Sequence, residues 1–81
     1  MNTTTDHGQI EKVVIESLES FGADPDRIDR SATFESLDID SLDLAELSQI
    51  VHERFGVELK GSDVAEIKTV GDAIDLIGSR A

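Results

Sequence analysis

Cysteine is absent from the chain, and so are tryptophan and tyrosine. Without cysteine there is no disulfide, no thiolate nucleophile and no sulfur-based metal site. The only aromatics are Phe21, Phe34 and Phe55, so any core must be mostly aliphatic. Basic residues are scarce, 7 Lys and Arg against 18 Asp and Glu, which leaves a net charge of −11 at pH 7. A surface of that sign repels nucleic acid and anionic lipid and attracts basic protein surfaces with salt-sensitive steering. No apolar run reaches the length of a membrane span or a signal peptide. The opening "MNTTTDHG" lacks the basic residues of an organelle-targeting segment. The expectation is a cytoplasmic, monomeric protein with no membrane or nucleic-acid partner. With 81 residues there is room for one small domain, whose marginal core leaves few polar groups to bury for catalysis. The high charge also fits disorder, and the regular apolar spacing argues against it.

That spacing defines helices. From Gln9 to Phe21, the residues Ile10, Val14, Leu18 and Phe21 recur at the interval of one helical face, and Ile15 falls off it. Asp6 reads as the N-cap, with Gln9 completing a capping box, and Gly22 as the stop. "GADPDRIDRSATFESLDID", residues 22–40, holds the only proline and no sustained period, so it reads as a long connection. A structureless stretch of that length requires pinning in a compact domain. Ile28, Phe34 and Leu37 are the candidates. A second helix is expected from Ser41 to Phe55, closed by Gly56. Turning about 100° per residue, Leu44, Leu47, Val51 and Phe55 form its apolar stripe, and Leu42, Asp43, Glu46, Gln49 and Glu53 lie roughly opposite. A short helix over Asp63–Ile67, capped by Ser62, and a last one opened by Thr69 with Asp72 and carrying Val70, Ala73, Ile74 and Ile77, complete the chain. No alternating run is long enough for a strand. The result is an all-α domain spanning residues 1–81, a small four-helix bundle with a long first loop and a short third helix, frayed at about residues 1–8 and 79–81.

Within it, "LDIDSLDLAEL" places Ser41 among four acids. A serine nucleophile needs a general base within hydrogen-bond reach. The histidines are His7, near the N-terminus, and His52, eleven residues along the same helix and so roughly 16 Å away. There is no G-x-S-x-G turn either. As a calcium loop, the register starting at Asp38 puts Leu42, Asp43 and Gln49 where an oxygen ligand, a glycine and a glutamate are required. No metal site is expected. As a helix start the segment is well formed, since Asp40 suits the N-cap and Asp43 the third helical position. That accounts for Asp40 and leaves open why Ser41 precedes an outward-facing leucine, and why residues 31–53 hold six acids and no lysine or arginine. Attachment is the remaining option. A phosphodiester on Ser41 would sit at the positive end of the helix dipole beside unpaired backbone N–H groups.

"FESLDIDSLDLAEL", followed by "FGVEL" and "EIKTVGDAIDLI", resembles the acyl carrier proteins of the discrete, single-domain kind. The similarity covers about Ile10 to Ile77, with Asp40-Ser41-Leu42 at its centre. It implies that a phosphopantetheinyl transferase attaches 4′-phosphopantetheine from coenzyme A to Ser41. The thiol of that group then carries acyl cargo as a thioester, which meets the absence of cysteine. It implies that the protein is a carrier and not an enzyme. Asp40 and Leu42 are implied in transferase and partner recognition, Glu46 in an acidic recognition face, and Asp63 and Glu66 in its extension; Asp43 and Glu53 join that face by position. The implied partners are ketosynthase, acyltransferase and reductase-type enzymes with basic docking patches, in fatty-acid or polyketide-type biosynthesis. Two positions depart from the family pattern. Asp38 stands where glycine is usual, and Lys60-Gly61 where a proline is common. The alternatives are a peptidyl or aminoacyl carrier, and an unmodified acidic adaptor for a basic protein.

Overall fold

Helix formation follows the apolar periods closely. The computed structural model describes residues 7–81, in which α1 spans His7–Ser20, α2 Ser41–Phe55, α3 Gly61–Glu66 and α4 Val70–Arg80, with a 3-10 turn at Pro25–Arg27. No strand is formed among the described residues. One isolated antiparallel bridge joins Thr33 and Thr69. The expected stripe of α1 is buried through Ile10, Val14 and Leu18, with Phe21 partly buried at its end. Gly22 (φ 103°) and Gly56 (φ 69°) take the left-handed backbone that ends α1 and α2. The Asp6 cap, and with it the capping box to Gln9, lies outside the described residues. At the other end α4 continues to Arg80, into the stretch 79–81, and the Arg80 side chain is hydrogen-bonded to Asp63.

The core is a single aliphatic cluster with one aromatic fully inside it. Ile10, Val14, Leu18, Val51, Val70, Ile74 and Ile77 are the large side chains almost wholly removed from water. Leu47 and Val51 bring α2 into that cluster, with Leu44 and Phe55 partly buried against it. Each buried aliphatic side chain contributes about 1.5–3 kcal/mol of transfer free energy. This set therefore dominates the favourable side of folding.

The long connection is the largest difference from expectation, since it is far from structureless. Phe34 and Leu37 insert as anticipated and Ile28 packs against the cluster only partly buried, while Ala23 and Ile39, which no sequence period marks, are buried as well. Residues 33–37 form a turn whose end is closed by Asp38 N–H donating to the Glu35 carbonyl and Ile39 N–H to the Phe34 carbonyl. These are the two bonds of a Schellman motif, with Phe34 and Ile39 as its apolar pair. The loop also caps α4. The first four N–H groups of a helix have no partner within it. Here Thr69 N–H donates to the Asp72 carboxylate, Val70 N–H to the Ala32 carbonyl, Gly71 N–H to the Arg30 carbonyl and Asp72 N–H to the Thr69 hydroxyl. Those amides of Thr69 and Lys68 also hold the Asp72 carboxyl below the ordinary carboxylate range.

Gly71 is required by this contact. A β-carbon there would lie 2.9 Å from the Arg30 carbonyl oxygen, a backbone atom that cannot swing aside. Alanine would otherwise favour a helix by up to about 1 kcal/mol. Gly71→Ala is nevertheless expected to destabilise the protein, by about 1–3 kcal/mol as overpacking costs go, as read by urea unfolding. An increase in stability would show that the loop is not seated on α4.

The third helix starts earlier than expected. It begins at Gly61, so Ser62 lies inside it and is not its cap; the Asp63 carboxylate instead reaches back to accept the Lys60 N–H at 3.0 Å. The same carboxylate is held by Arg80 through two hydrogen bonds of 2.7 and 2.8 Å. The Arg80 hydrogen bonds, and then that of the Lys60 amide, lower the Asp63 carboxyl to about 2. Because the folded value lies below the ordinary one of about 3.9, this contribution to folding is present above that pH and lost as the pH falls toward the folded value.

Candidate functional site

The first turn of α2 carries the site. Asp40 takes extended backbone and its carboxylate accepts the Asp43 N–H at 3.0 Å, while the Asp43 carboxylate accepts the Asp40 N–H at 3.4 Å. This is a reciprocal capping box. Ser41 is the first helical residue and is exposed, and its hydroxyl has no hydrogen-bond partner among the described residues. The backbone N–H groups of Ser41 and Leu42 also have no acceptor among the described residues. The contrast with α4 is informative: there loop carbonyls occupy the corresponding donors, and here they face solvent at the positive end of a fifteen-residue helix.

The approach to Ser41 is fixed by Asp38. It stands where the resemblance calls for glycine, yet it adopts φ 61°, the left-handed conformation in which glycine is at ease. Aspartate is among the few other residues that enter this region readily. The paired hydrogen bonds of residues 34, 35, 38 and 39 over-determine the turn, so the departure in residue type does not become a departure in backbone path. Ile39, buried between Asp38 and Asp40, anchors the last step into the cap.

Around α2 the predicted residues separate onto three sides. Leu42, Glu46 and Glu53 are exposed on the outer side, and Leu42, at 80% exposure, is the one exposed large hydrophobic among the described residues. Asp43 is only half-exposed, because its carboxylate turns back to the Asp40 amide. Glu53 stands at the far end of the helix, beside a cleft that it shares with Glu16, Ser17 and Arg54. Ser41, Ala45 and Ser48 form a stripe at i, i+4 and i+7 facing α3, and with Leu59, Gly61 and Val64 they line a groove of about 330 Å³. The Ser48 hydroxyl on that stripe donates to the Leu44 carbonyl at 3.0 Å.

On α3 the two expected recognition residues part company. Glu66 is exposed. Asp63 is not available as a free acid, because its carboxylate is 15% exposed and paired with Arg80. A sequence reading misses this because Arg80 lies 17 residues further on, in another helix. His52 is exposed on the same helix as Ser41 and has no approach to it. No group of three His, Cys, Asp or Glu side chains suited to a metal ion occurs among the described residues. No described helix is long and apolar enough to cross a membrane.

Comparison with known proteins addresses the same segment. The family described as "Phosphopantetheine attachment site" matches residues 12–77. The chain belongs to the acyl carrier protein family. A relative, the acyl carrier protein of Zymomonas mobilis, is 41% identical over 70 residues, covering 85% of this chain and 86% of its own length. The group such a carrier holds is covalently attached 4′-phosphopantetheine, and the family works with phosphopantetheinyl transferases and synthase enzymes. The first turn of α2 fits that group on its own chemistry: an exposed hydroxyl, two unengaged amides for a phosphate, and an adjoining groove.

Proposed function

We propose that Ser41 is the attachment point and that the protein is a non-catalytic, cytoplasmic carrier, presenting acyl intermediates as thioesters to the enzymes of fatty-acid or polyketide-type biosynthesis. The observation that carries this reading is the pairing of an exposed Ser41 hydroxyl with the unengaged N–H groups of Ser41 and Leu42. A phosphodiester there gains the helix dipole and two backbone donors without displacing any existing bond. The hydroxyl needs no activating neighbour in this chain, since the transferase supplies the chemistry. Asp40 contributes by holding the turn, and it is placed beside Ser41 for a transferase to read.

Around it, Leu42 offers an apolar contact, and Glu46, Asp43, Glu53 and Glu66 offer charge to ketosynthase, acyltransferase and reductase-type partners with basic patches. Contacts of that kind are fast and salt-sensitive, as a carrier that must release its partner requires. Aspartate on both sides of Ser41-Leu42 favours acyl cargo over a peptidyl or aminoacyl one.

Incubation with coenzyme A and a broad-range phosphopantetheinyl transferase, followed by the intact mass, tests the assignment. A gain of one phosphopantetheinyl group is the expected result. No gain would leave an acidic adaptor that is never modified. The recognition face has its own test. Glu46→Lys is expected to lower turnover with a cognate synthase by about tenfold at low salt, with an unchanged far-ultraviolet spectrum. Turnover indifferent both to this change and to added salt would remove the electrostatic docking scheme.

A further inference from the structure

None of the six residues of α3 is fully buried, Asp63 and Val64 being only partly so, and none of them joins the apolar cluster. A helix of that length does not persist in water without tertiary support. Lys60 before it supplies no side-chain cap. The apolar neighbours Val57 and Ile67 are buried on either side of the segment, yet they leave α3 itself free of core contacts.

What holds α3 is a guanidinium from the other end of the chain. Arg80, the last residue of α4, donates to both oxygens of Asp63 at 2.7 and 2.8 Å and to the Glu58 carbonyl at 3.3 Å. Asp63 in turn accepts the Lys60 N–H. One side chain thus ties the approach to α3, its first residues and its first turn to the end of α4. A bidentate arginine–carboxylate pair fixes orientation as well as distance, which a lysine cannot reproduce. Meanwhile α3, through Gly61 and Val64, forms one wall of the groove whose other wall is the Ser41, Ala45 and Ser48 stripe of α2.

We infer that Arg80 is a positioning residue for the site: acting through Asp63 and α3, it sets the width of the groove beside Ser41. Its use in carrying cargo rests on the attachment of phosphopantetheine at Ser41, and the position of the wall does not. The clamp also explains why an acid expected on the recognition face is withdrawn from it.

The absence of cysteine makes the test clean. Nitroxide labels on Gln49→Cys and Ala65→Cys, both exposed, report the separation of α2 and α3 by electron spin resonance. A narrow distance distribution is expected with Arg80 in place. Arg80→Gln should broaden it toward longer distances, and amide exchange over residues 61–67 should rise roughly three- to fivefold, as the loss of one ion pair allows. Exchange within α1 should change less. Asp63→Asn should reproduce both effects, and Arg80→Lys should restore them in part. An unchanged distribution in Arg80→Gln, or exchange that rises equally in α1 and α3, would overturn the inference. Weighing each unlabelled variant after treatment with the transferase keeps the two proposals separate. A wall that moves in a protein that never gains mass would leave Arg80 as assigned and remove Ser41.

Discussion

Ser41→Ala is expected to abolish the mass gain from coenzyme A completely while leaving stability within about 0.5 kcal/mol of the parent. The two halves of this result come from the same geometry. The Ser41 hydroxyl is exposed and bonds to nothing among the described residues, so removing it breaks no contact. The cap of α2 belongs to Asp40 and Asp43, and both of its hydrogen bonds survive. Alanine is also the better helix former. A site whose loss is silent in unfolding and total in loading is what an attachment point predicts. Intact mass and thermal unfolding on the same sample check it. A mass gain that persists in the variant would place the modification elsewhere, and a large loss of stability would show that Ser41 has a structural task.

Phe34→Ala is expected to give the converse, a loss of stability of about 3–5 kcal/mol. A domain of this length has in total about 4–12 kcal/mol. Phe34 is the one aromatic sunk in the core, at 4% exposure, and it serves several contacts at once. Its N–H donates to the Lys68 carbonyl, its carbonyl accepts from Ile39, and its ring pins the connection that delivers Asp38, Ile39 and Asp40 to α2. The thermal midpoint should fall by roughly 12–40 °C, taking the usual conversion for a domain of this size. Loading at Ser41 should fall with the folded fraction and recover in sucrose, which favours burial. In Ser41→Ala no such recovery is possible. A midpoint that hardly moves would mean that the connection is held by its hydrogen bonds to residues 68–71 alone.

How much of this was legible in advance depends on the range of the interaction. The stripes of Ile10, Val14 and Leu18, and of Leu44, Leu47 and Val51, repeat within one turn, as do the Asp40–Asp43 and Thr69–Asp72 boxes. Those patterns alone place α1, α2 and α4, and with them the exposed shoulder of Ser41. The outward face of Leu42 and Glu46 follows from rotation about the same axis.

The tertiary structure decided the rest. Asp38 takes a glycine-like conformation because the turn behind it and the burial of Ile39 leave no other path, a constraint that residue type does not announce. Arg30 is paired across 45 residues with Asp75, and its carbonyl caps α4 at Gly71. Asp63 reads as one more surface acid until Arg80 is folded against it. The sequence by itself determined where α2 and α4 begin, which faces are apolar and where a serine stands exposed, because each rests on residues within about four positions of one another. Which acids remain free for a partner, and how α3 is held beside Ser41, depend on charges brought together only when the chain closes on itself.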